Sequence, residues 1–231
     1  MFGKPKTYAV VAVGCFLVEL TLPALAQAQN ANTILYFLRH TETQTRLVSD
    51  GEGHFVEDCN PSRSCCADIL NPLGIARRNA LGDWFAQNRL VGTLTHLIAS
   101  NKPRTVETLA AIAALSGLPV EQYPSDTAEC DPGFETARDS MPFVIAAIMS
   151  LPTGSRPLIA NHGDTLYDII EATSGLDTSD DVFFPKEPGT RRVRGFNQLW
   201  VVQVDANRSA KLLQHVEFDV RIESAAPSYL R

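Results

Sequence analysis

Long basic runs are missing from this 231-residue sequence, in which 26 Asp and Glu residues outnumber 20 Lys and Arg residues and give a formal net charge of −6. Nucleic acid is therefore not an expected partner, because proteins that bind it cluster basic side chains against the phosphates. Internal repeats, low-complexity tracts and the paired C-x-x-C spacing of structural zinc sites are also missing. With 45% hydrophobic and 20% charged residues, the composition is that of a globular protein with one sizeable core.

The N-terminus differs in composition from the rest of the chain. Two lysines in "MFGKPK" precede the largely apolar "TYAVVAVGCFLVELTLPALA", and small residues alternate in "ALAQAQN". This pattern predicts a secretory signal peptide cleaved after Ala26 or Ala28, and a periplasmic or secreted mature protein. Glu19 argues against a permanent membrane span. Lipid attachment at Cys15 is the less favoured alternative, because Ala12 is a poor match to the leucine usual at that position.

Removal of the signal peptide, residues 1–28, leaves residues 29–231 as a single predicted domain. This part keeps an even number of cysteines, which in an exported protein is compatible with disulfides. They are Cys59, Cys65, Cys66 and Cys130. A bridge between the two adjacent cysteines is sterically poor, so the favoured pairing has one bridge within "CNPSRSCC" and a second from there to Cys130. A metal site of His54 with these cysteines is the weaker interpretation.

Three short apolar runs are nearly continuous, as expected for strands buried on both faces of a parallel sheet. They are "TILYFL" (33–38), "LTHLIAS" (94–100) and "PLIA" (157–160). Helical segments are predicted between and after them, at 71–90, 103–118, 141–151 and 164–175. Pro103 lies near the start of one helix, and glycines at 117 and 175 close two of them. Asp164 is predicted to cap the last helix.

Strands that alternate with helices predict an α/β domain with a mainly parallel central sheet. "FNQLWVVQVD" (196–205) is predicted to be a late strand, and "KLLQHVEFDV" is a candidate for another. The polar, cysteine-bearing segment 44–70 has little periodicity and is long for a connection. It is therefore predicted to be a lid or binding loop.

Cationic and ionisable side chains follow each of the three buried strands. Arg39 and His40 follow the first, "SNKPR" leads from the second to Arg104, and His162 follows the third just before a helix. Ligands bind beyond the carboxyl ends of parallel strands, so these groups are expected at one edge of the sheet. Arginines and helix N-termini suit a phosphate, and a neutral imidazole beside it can act as a nucleophile. The pattern predicts that arginines hold phosphate oxygens while His40 attacks phosphorus.

Five segments resemble, in the same order, the motifs of the histidine phosphatase (phosphoglycerate-mutase-like) superfamily. "LRHTET" resembles R-H-G-E-T, and "ILNPLGIARRNALGDWF" resembles the helix L-T-x-x-G-x-x-Q-A. "SNKPRTVETLAAI" resembles S-x-x-x-R-A-x-Q-T-A-x-x-I, "AECDPGF" resembles E-x-D-x-G, and "LIANHGDTL" resembles the strand that ends in H-G. The match spans about residues 33–175. The resemblance implies a three-layer α/β/α sandwich and a phosphohistidine intermediate, with no metal or other cofactor.

The resemblance also assigns roles to individual residues of this chain. His40 matches the nucleophile, Arg39 and Arg104 match the phosphate clamp, and Glu129 matches the proton donor to the leaving group. His162 matches the second pocket histidine, which donates a hydrogen bond to the transferring oxygens.

Four positions depart from the family pattern. Thr41 replaces the usual glycine, and Arg46 stands where many mutase-type members have asparagine. Thr105 and Glu107 replace the usual alanine and glutamine. These changes affect the prediction of substrate more than that of chemistry. Secondary candidates for the site are Thr43, Arg46 and Asp164.

The combined prediction is an exported, metal-independent phosphomonoesterase that acts on a small phosphate monoester. A phosphotransferase or mutase of the same superfamily is one alternative. A degenerate module that only binds a phosphate ligand is another, although the intact His40, Arg104 and His162 argue against it. Glu129 is preferred to Asp164 as the acid, because a helix-capping carboxylate is held ionised by backbone N–H groups. The cluster "TRRVRGF" is predicted to be a solvated face or, alternatively, to hold a distal acidic group of the substrate.

Overall fold

The computed structural model describes residues 32–45, 47–49, 55–57, 68–124 and 137–218. The strands of this part are β1 (Thr33–Arg39), β2 (Thr43–Thr45), β3 (Leu47–Ser49), β4 (Phe55–Glu57), β5 (Asp68–Leu70), β6 (His96–Ser100), β7 (Val120–Tyr123), β8 (Pro157–Asn161), β9 (Gln198–Val204) and β10 (Ala210–Glu217). The helices are α1 (Pro72–Gln87), α2 (Pro103–Ser116), α3 (Ala137–Ser150) and α4 (Leu166–Ser174), with a short 3-10 helix at Val91–Thr93.

Six strands form one mixed sheet in the order β10-β9-β1-β8-β6-β7. β1, β8, β6 and β7 run parallel to one another, whereas β9 and β10 add antiparallel strands at one side. Arg39 pairs in register with Asn161, and Ala99 pairs with Ala160. The carboxyl ends of β1, β8 and β6 therefore lie side by side. The predicted mainly parallel sheet is confirmed.

Helices cover both faces of this sheet and enclose two apolar cores. On one face, α3 and α4 pack against sheet residues that include Phe37 and Trp200. On the other face, α1 and α2 pack against residues that include Leu97 and Leu158. Successive side chains of a strand point to opposite faces, so a continuous apolar run supplies both cores at once. Each fully buried Leu, Ile or Phe contributes about 1.5–3 kcal/mol. The predicted three-layer α/β/α sandwich is confirmed.

Local sequence chemistry sets several helix ends. α1 begins after Asn71, whose side-chain oxygen accepts a hydrogen bond from the N–H of Gly74 at 2.8 Å. α2 begins at Pro103 and ends at Gly117, where φ is 72°. α4 ends at Gly175, where φ is 76°. Glycine is favoured at such left-handed C-caps, and the predicted glycine stops are confirmed.

The predicted starts of two helices are wrong. α3 begins at Ala137, one turn before the predicted start, and Pro142 lies inside it. α4 begins after Thr165, and the exposed Asp164 lies in the preceding turn rather than at the N-cap. The carbonyl of His162 accepts bonds from the N–H groups of Thr165 and Leu166, at 3.2 and 3.0 Å. Because this turn directly follows the histidine, the helix begins after Asp164.

The segment 44–70 contains more regular structure than its sequence predicts. β2 pairs with β5 and β3 pairs with β4, both antiparallel, and strands this short give periodicity too few residues to be detected. The edge strand β7 was also not predicted. Every cysteine lies outside the described residues, as does the N-terminal segment, so the disulfides and the signal peptide stay predictions, and so does the lid. In the part of the chain described, no helix is long and apolar enough to cross a membrane.

Candidate active site

The two histidines of the predicted site meet at the carboxyl ends of β1 and β8. The N–H of His40 donates to the carbonyl of Asn161 at 2.8 Å, which extends the strand pairing by one residue. The rings of His40 and His162 then lie with their centroids 5.3 Å apart and inclined at 62°. Both side chains are buried, with 7% and 2% of their surface exposed. The fold thus places two buried imidazoles side by side at the edge of the sheet.

The hydrogen bond of His40 determines which of its ring nitrogens carries the proton. Nδ1 lies 2.8 Å from the carbonyl oxygen of Thr41. A carbonyl can only accept, so Nδ1 carries the hydrogen and Nε2 keeps its lone pair. Burial, and then the positive charge of Arg104, lower the pKa of His40 to about 3. The ring is therefore neutral at physiological pH, with a nucleophilic nitrogen free of its proton.

His162 makes one contact through each ring nitrogen. Nε2 lies 2.8 Å from the hydroxyl oxygen of Ser100, at the end of β6. Nδ1 accepts from Nε of Arg104, in the first turn of α2, at 3.3 Å. Burial, followed by the charge of Arg104, holds the pKa of His162 well below its usual value. The three strand ends β1, β6 and β8 thus contribute jointly to the site, as the sequence predicted.

Arg39 is held through Nη1 of its guanidinium group, whereas its Nε has no hydrogen-bond partner in the described part of the chain. Nη1 donates to the carbonyls of Val193 and Gly195, at 2.7 and 3.1 Å, and lies 3.4 Å from a carboxylate oxygen of Glu187. The ring of Phe196 lies 3.8 Å from the guanidinium carbon. Nε is buried and has no hydrogen-bond partner among the described residues. A buried, unpartnered N–H on a cation beside two histidines is suited to an anionic oxygen.

The segment that holds Arg39 folds back onto the strand end of the second histidine. Lys186 and Val193 form an antiparallel bridge, and the N–H of Val193 donates to the carbonyl of Gly163 at 2.7 Å. Sequence reasoning did not find Glu187 or Phe196 as neighbours of Arg39. They lie about 150 residues away along the chain, and no motif marks them.

The arginine cluster at 191–194 is exposed to solvent, and two of its members form ion pairs. All three of its arginines are exposed, in agreement with the prediction of a solvated face. Arg191 pairs with Asp168 and Glu171 of α4, at 3.4 and 2.8 Å. Arg192 lies 3.5 Å from Glu187, and its charge contributes to lowering the pKa of His40.

Residues at the start of α1 support the turn that follows His40. Arg77 of α1 donates to the carboxylate of Glu42 at 2.6 Å, and the carbonyl of Glu42 accepts from the N–H of Asn71 at 3.0 Å. A Cβ atom at Gly74 would collide with that same carbonyl. The glycine in "NPLG" is therefore required by close packing of α1 against the turn.

The remaining predicted residues are placed differently. Glu129 and Arg46 lie outside the described residues, so their roles stay predictions. Thr43 is half-buried in β2, where its carbonyl lies 3.3 Å from the side-chain nitrogen of Asn71. Asp164 is exposed. Burial lowers the pKa of Arg39, and Asp164 is near enough for its charge to oppose that shift. Within the described ranges, no group of three His, Cys, Asp or Glu side chains could hold a metal ion.

No protein-family model and no curated protein matches the chain. Solved structures do match it. A candidate phosphohistidine phosphatase SixA from Nakamurella multipartitia is 16% identical, with a TM-score of 0.51, and the match covers 82% of this chain and 98% of that chain. A phosphoglycerate mutase from Plasmodium falciparum is 12% identical, with a TM-score of 0.50 and coverage of 84% and 99%. A candidate alpha-ribazole-5'-P phosphatase from Escherichia coli is 14% identical, with a TM-score of 0.50 and coverage of 84% and 100%.

These neighbours share the fold of the histidine phosphatase superfamily, and the present chain has that phosphoglycerate-mutase-like fold. The resemblance found in the sequence motifs is thereby confirmed at the level of the fold. At identities of 12–16%, the likeness establishes architecture. The chemistry has to be argued from the side chains of this chain.

Proposed function

We propose that the protein is an exported phosphomonoesterase that works through a phosphohistidine at His40 and needs no metal. The observation that carries the proposal is the tautomer of His40. The Thr41 carbonyl holds the hydrogen on Nδ1, which leaves Nε2 with its lone pair, and the buried rings of His40 and His162 lie 5.3 Å apart. Phosphoryl transfer depends mainly on positioning and on stabilisation of charge, so such a site is sufficient without a cofactor.

The proposed reaction is a double displacement. Arg39, Arg104 and His162 hold the phosphoryl oxygens while Nε2 of His40 attacks phosphorus in line. The bond to the ester oxygen breaks, and that oxygen takes a proton from Glu129. Phosphorylation leaves a positive charge on the His40 ring, which the carbonyl of Thr41 stabilises by accepting from Nδ1–H. A water molecule then attacks phosphorus and gives one proton to the Glu129 carboxylate. The bond between phosphorus and Nε2 breaks, phosphate is released, and neutral His40 and protonated Glu129 are restored.

Trapping the intermediate tests the proposal. After brief reaction with a ³²P-labelled monoester and an alkaline quench, the label is expected on His40, because phosphohistidine survives alkali and not acid. His40→Asn should abolish both the label and turnover. His96→Gln is the matched control, since His96 lies at the other end of β6 and bonds to Thr95 at 2.9 Å.

The same preparation should remain active in EDTA. Loss of activity in EDTA with recovery on addition of zinc or magnesium would contradict the metal-independent mechanism. A label that persists in His40→Asn would contradict the choice of nucleophile.

A phosphotransferase or mutase is the second candidate, favoured by the structural likeness to a phosphoglycerate mutase. It would use the same phosphohistidine and differ only in the acceptor, a hydroxyl group instead of water. Release of one free phosphate for each substrate consumed is expected of the phosphatase. Return of the label to a second hydroxyl, with little free phosphate, would identify the mutase.

A further inference from the structure

A chain of buried hydrogen bonds runs from the second histidine into the start of α2. Nε2 of His162 lies 2.8 Å from the hydroxyl oxygen of Ser100, and that oxygen lies 2.9 Å from the hydroxyl oxygen of Thr105. The Thr105 hydroxyl in turn lies 2.7 Å from the carbonyl of Lys102 and 3.0 Å from that of Ser100. Ser100 and Thr105 are fully buried, so water does not compete for these groups.

The directions of the bonds in this chain are assigned from the shortest contact and the number of hydrogens available. The closest partner of the Thr105 hydroxyl is the Lys102 carbonyl oxygen at 2.7 Å, which can only accept, so the single hydroxyl hydrogen is assigned to that bond. The Thr105 oxygen then accepts from the Ser100 hydroxyl, which leaves Ser100 no hydrogen for the histidine. With this assignment, the Ser100 oxygen accepts from Nε2–H of His162.

The contact at the other ring nitrogen, Nδ1, independently indicates the same tautomer of His162. Arg104 lies 3.3 Å from Nδ1 of His162 through its Nε, and a guanidinium group can only donate. Nδ1 therefore carries no hydrogen in the ligand-free protein. Two separate contacts, one at each ring nitrogen, specify the Nε2–H tautomer. This is the opposite tautomer to that of His40, in which Nδ1 carries the hydrogen.

We propose that Thr105, acting through Ser100, is a positioning residue that fixes His162 in the Nε2–H tautomer and presents its Nδ1 lone pair to Arg104. The superfamily pattern has alanine where this chain has Thr105. Alanine has no oxygen to accept from Ser100, so the device belongs to this chain rather than to the shared motif. The tautomer stands on the contacts alone, and its importance for turnover rests on the proposed function.

The fixed tautomer changes how His162 can contribute to phosphate binding. With Nδ1 unprotonated, the ring cannot donate to a phosphoryl oxygen until it takes up a proton there. Burial, and then the positive charges of Arg104, Lys102 and Arg39, hold the pKa of His162 low while no anion is bound. A bound dianion offsets those positive charges and favours protonation. Binding of a dianion is therefore expected to be accompanied by uptake of one proton.

Nuclear magnetic resonance of protein labelled with ¹⁵N-histidine tests the assignment, because protonated and unprotonated ring nitrogens have well-separated shifts. In the ligand-free wild type, His162 is expected to be protonated at Nε2 alone and His40 at Nδ1 alone. Thr105→Val keeps the shape and removes the acceptor, so the Ser100 hydroxyl keeps Nε2 of His162 as the described side-chain contact to which it can donate. The Nδ1–H form of His162 should then reach about a tenth or more of the population. Thr105→Ser keeps the acceptor and should retain the wild-type tautomer.

Calorimetry provides the second measurement. Tungstate, a phosphate analogue that carries no proton at neutral pH, is titrated into the protein in buffers of different ionisation enthalpy. Wild type and Thr105→Ser should take up one proton per site, and Thr105→Val should take up less, because its Nδ1–H form already donates.

A wild-type spectrum with His162 protonated at Nδ1 would overturn the inference, as would a Thr105→Val spectrum with an unchanged tautomer. If Thr105→Val does not fold, the wild-type spectrum and wild-type proton uptake decide the matter. Failure of the proposed function is distinguishable, because absence of a phosphohistidine at His40 would leave the ligand-free tautomer of His162 as assigned.

Discussion

Addition of a single methyl group at Gly163 is expected to impair the site by displacing Arg39. A Cβ atom at this position would lie 2.8 Å from Nε, 2.9 Å from Cζ and 3.1 Å from Cδ of Arg39. Ordinary van der Waals contact begins at 3.4 Å, so relief of the closest contact requires a shift of about 0.6 Å, from 2.8 to 3.4 Å. The need for glycine here comes from the close approach of the guanidinium group, since Gly163 is absent from the residues with positive φ.

The displaced side chain has little room to adjust. Nη1 of Arg39 is held by the carbonyls of Val193 and Gly195, and Phe196 lies against the guanidinium group. A displacement of 1 Å at a catalytic group can cost about 100-fold in rate. We therefore expect Gly163→Ala to lower kcat/KM for an alkyl phosphate by about 10- to 100-fold. Overpacking should cost about 1–3 kcal/mol of stability.

Steady-state kinetics, tungstate affinity and thermal unfolding of Gly163→Ala test this prediction. Gly92→Ala is the matched control, because a Cβ atom at Gly92 would meet no atom within 4 Å. The control should retain activity and melting temperature. Wild-type kcat/KM and tungstate affinity in folded Gly163→Ala would refute the reasoning, because they would mean that the position of the Arg39 guanidinium group does not matter.

Three further predictions concern the acid, the pH dependence of stability and the N-terminus. Glu129→Gln should slow hydrolysis of alkyl phosphates by about 10²–10⁴-fold and spare p-nitrophenyl phosphate, whose phenolate leaves unaided. Asp164→Asn should show no such dependence on the leaving group, and the reverse pattern in kinetics would make Asp164 the acid. The pKa of His40 is about 3 in the folded protein against 6.5 ordinarily, so the unfolded chain alone gains a proton between these values. Urea unfolding should accordingly give less stability as pH falls from 6.5 towards 3, and His40→Asn should flatten that slope. Mass spectrometry of protein from the native host should find the mature N-terminus at Gln27 or Gln29, and an intact Met1 or a lipid on Cys15 would contradict export as a soluble protein.

Patterns within short stretches of sequence were enough to predict an α/β domain with a mainly parallel sheet, and the family resemblance implied its three layers. The buried strands follow from three continuous apolar runs, because a strand covered on both faces needs apolar side chains at every position. Gly117 and Gly175 mark helix ends because glycine, which has no Cβ, adopts their left-handed φ values at least cost. The position of Arg39 and His40 at one strand end and His162 at another was likewise predictable, because parallel strands bring their carboxyl ends to one edge.

The start of α4 depended on contacts that no local pattern encodes. Asp164 has the chemistry of a helix cap, yet the turn that closes on the carbonyl of His162 moves the start of the helix to Leu166. A capping propensity of about 1 kcal/mol is too weak to oppose the geometry of the strand end. The short strands β2 to β5 and the edge strand β7 escaped prediction because pairing with neighbours, rather than their own periodicity, defines them.

The protonation of the two histidine rings was also decided by tertiary contacts. The sequence alone supplied the candidate nucleophile His40 and its companions, but the protonation of each ring depends on which atom lies within about 3 Å of it. The Thr41 carbonyl sets the tautomer of His40, and Ser100 with Thr105 sets that of His162. Glu187 and Phe196 reach Arg39 from about 150 residues away. These contacts form only when the sheet, the helices and the returning loop are packed together. A hydrogen bond requires a short distance and a defined angle, and the spacing of residues along the sequence specifies neither.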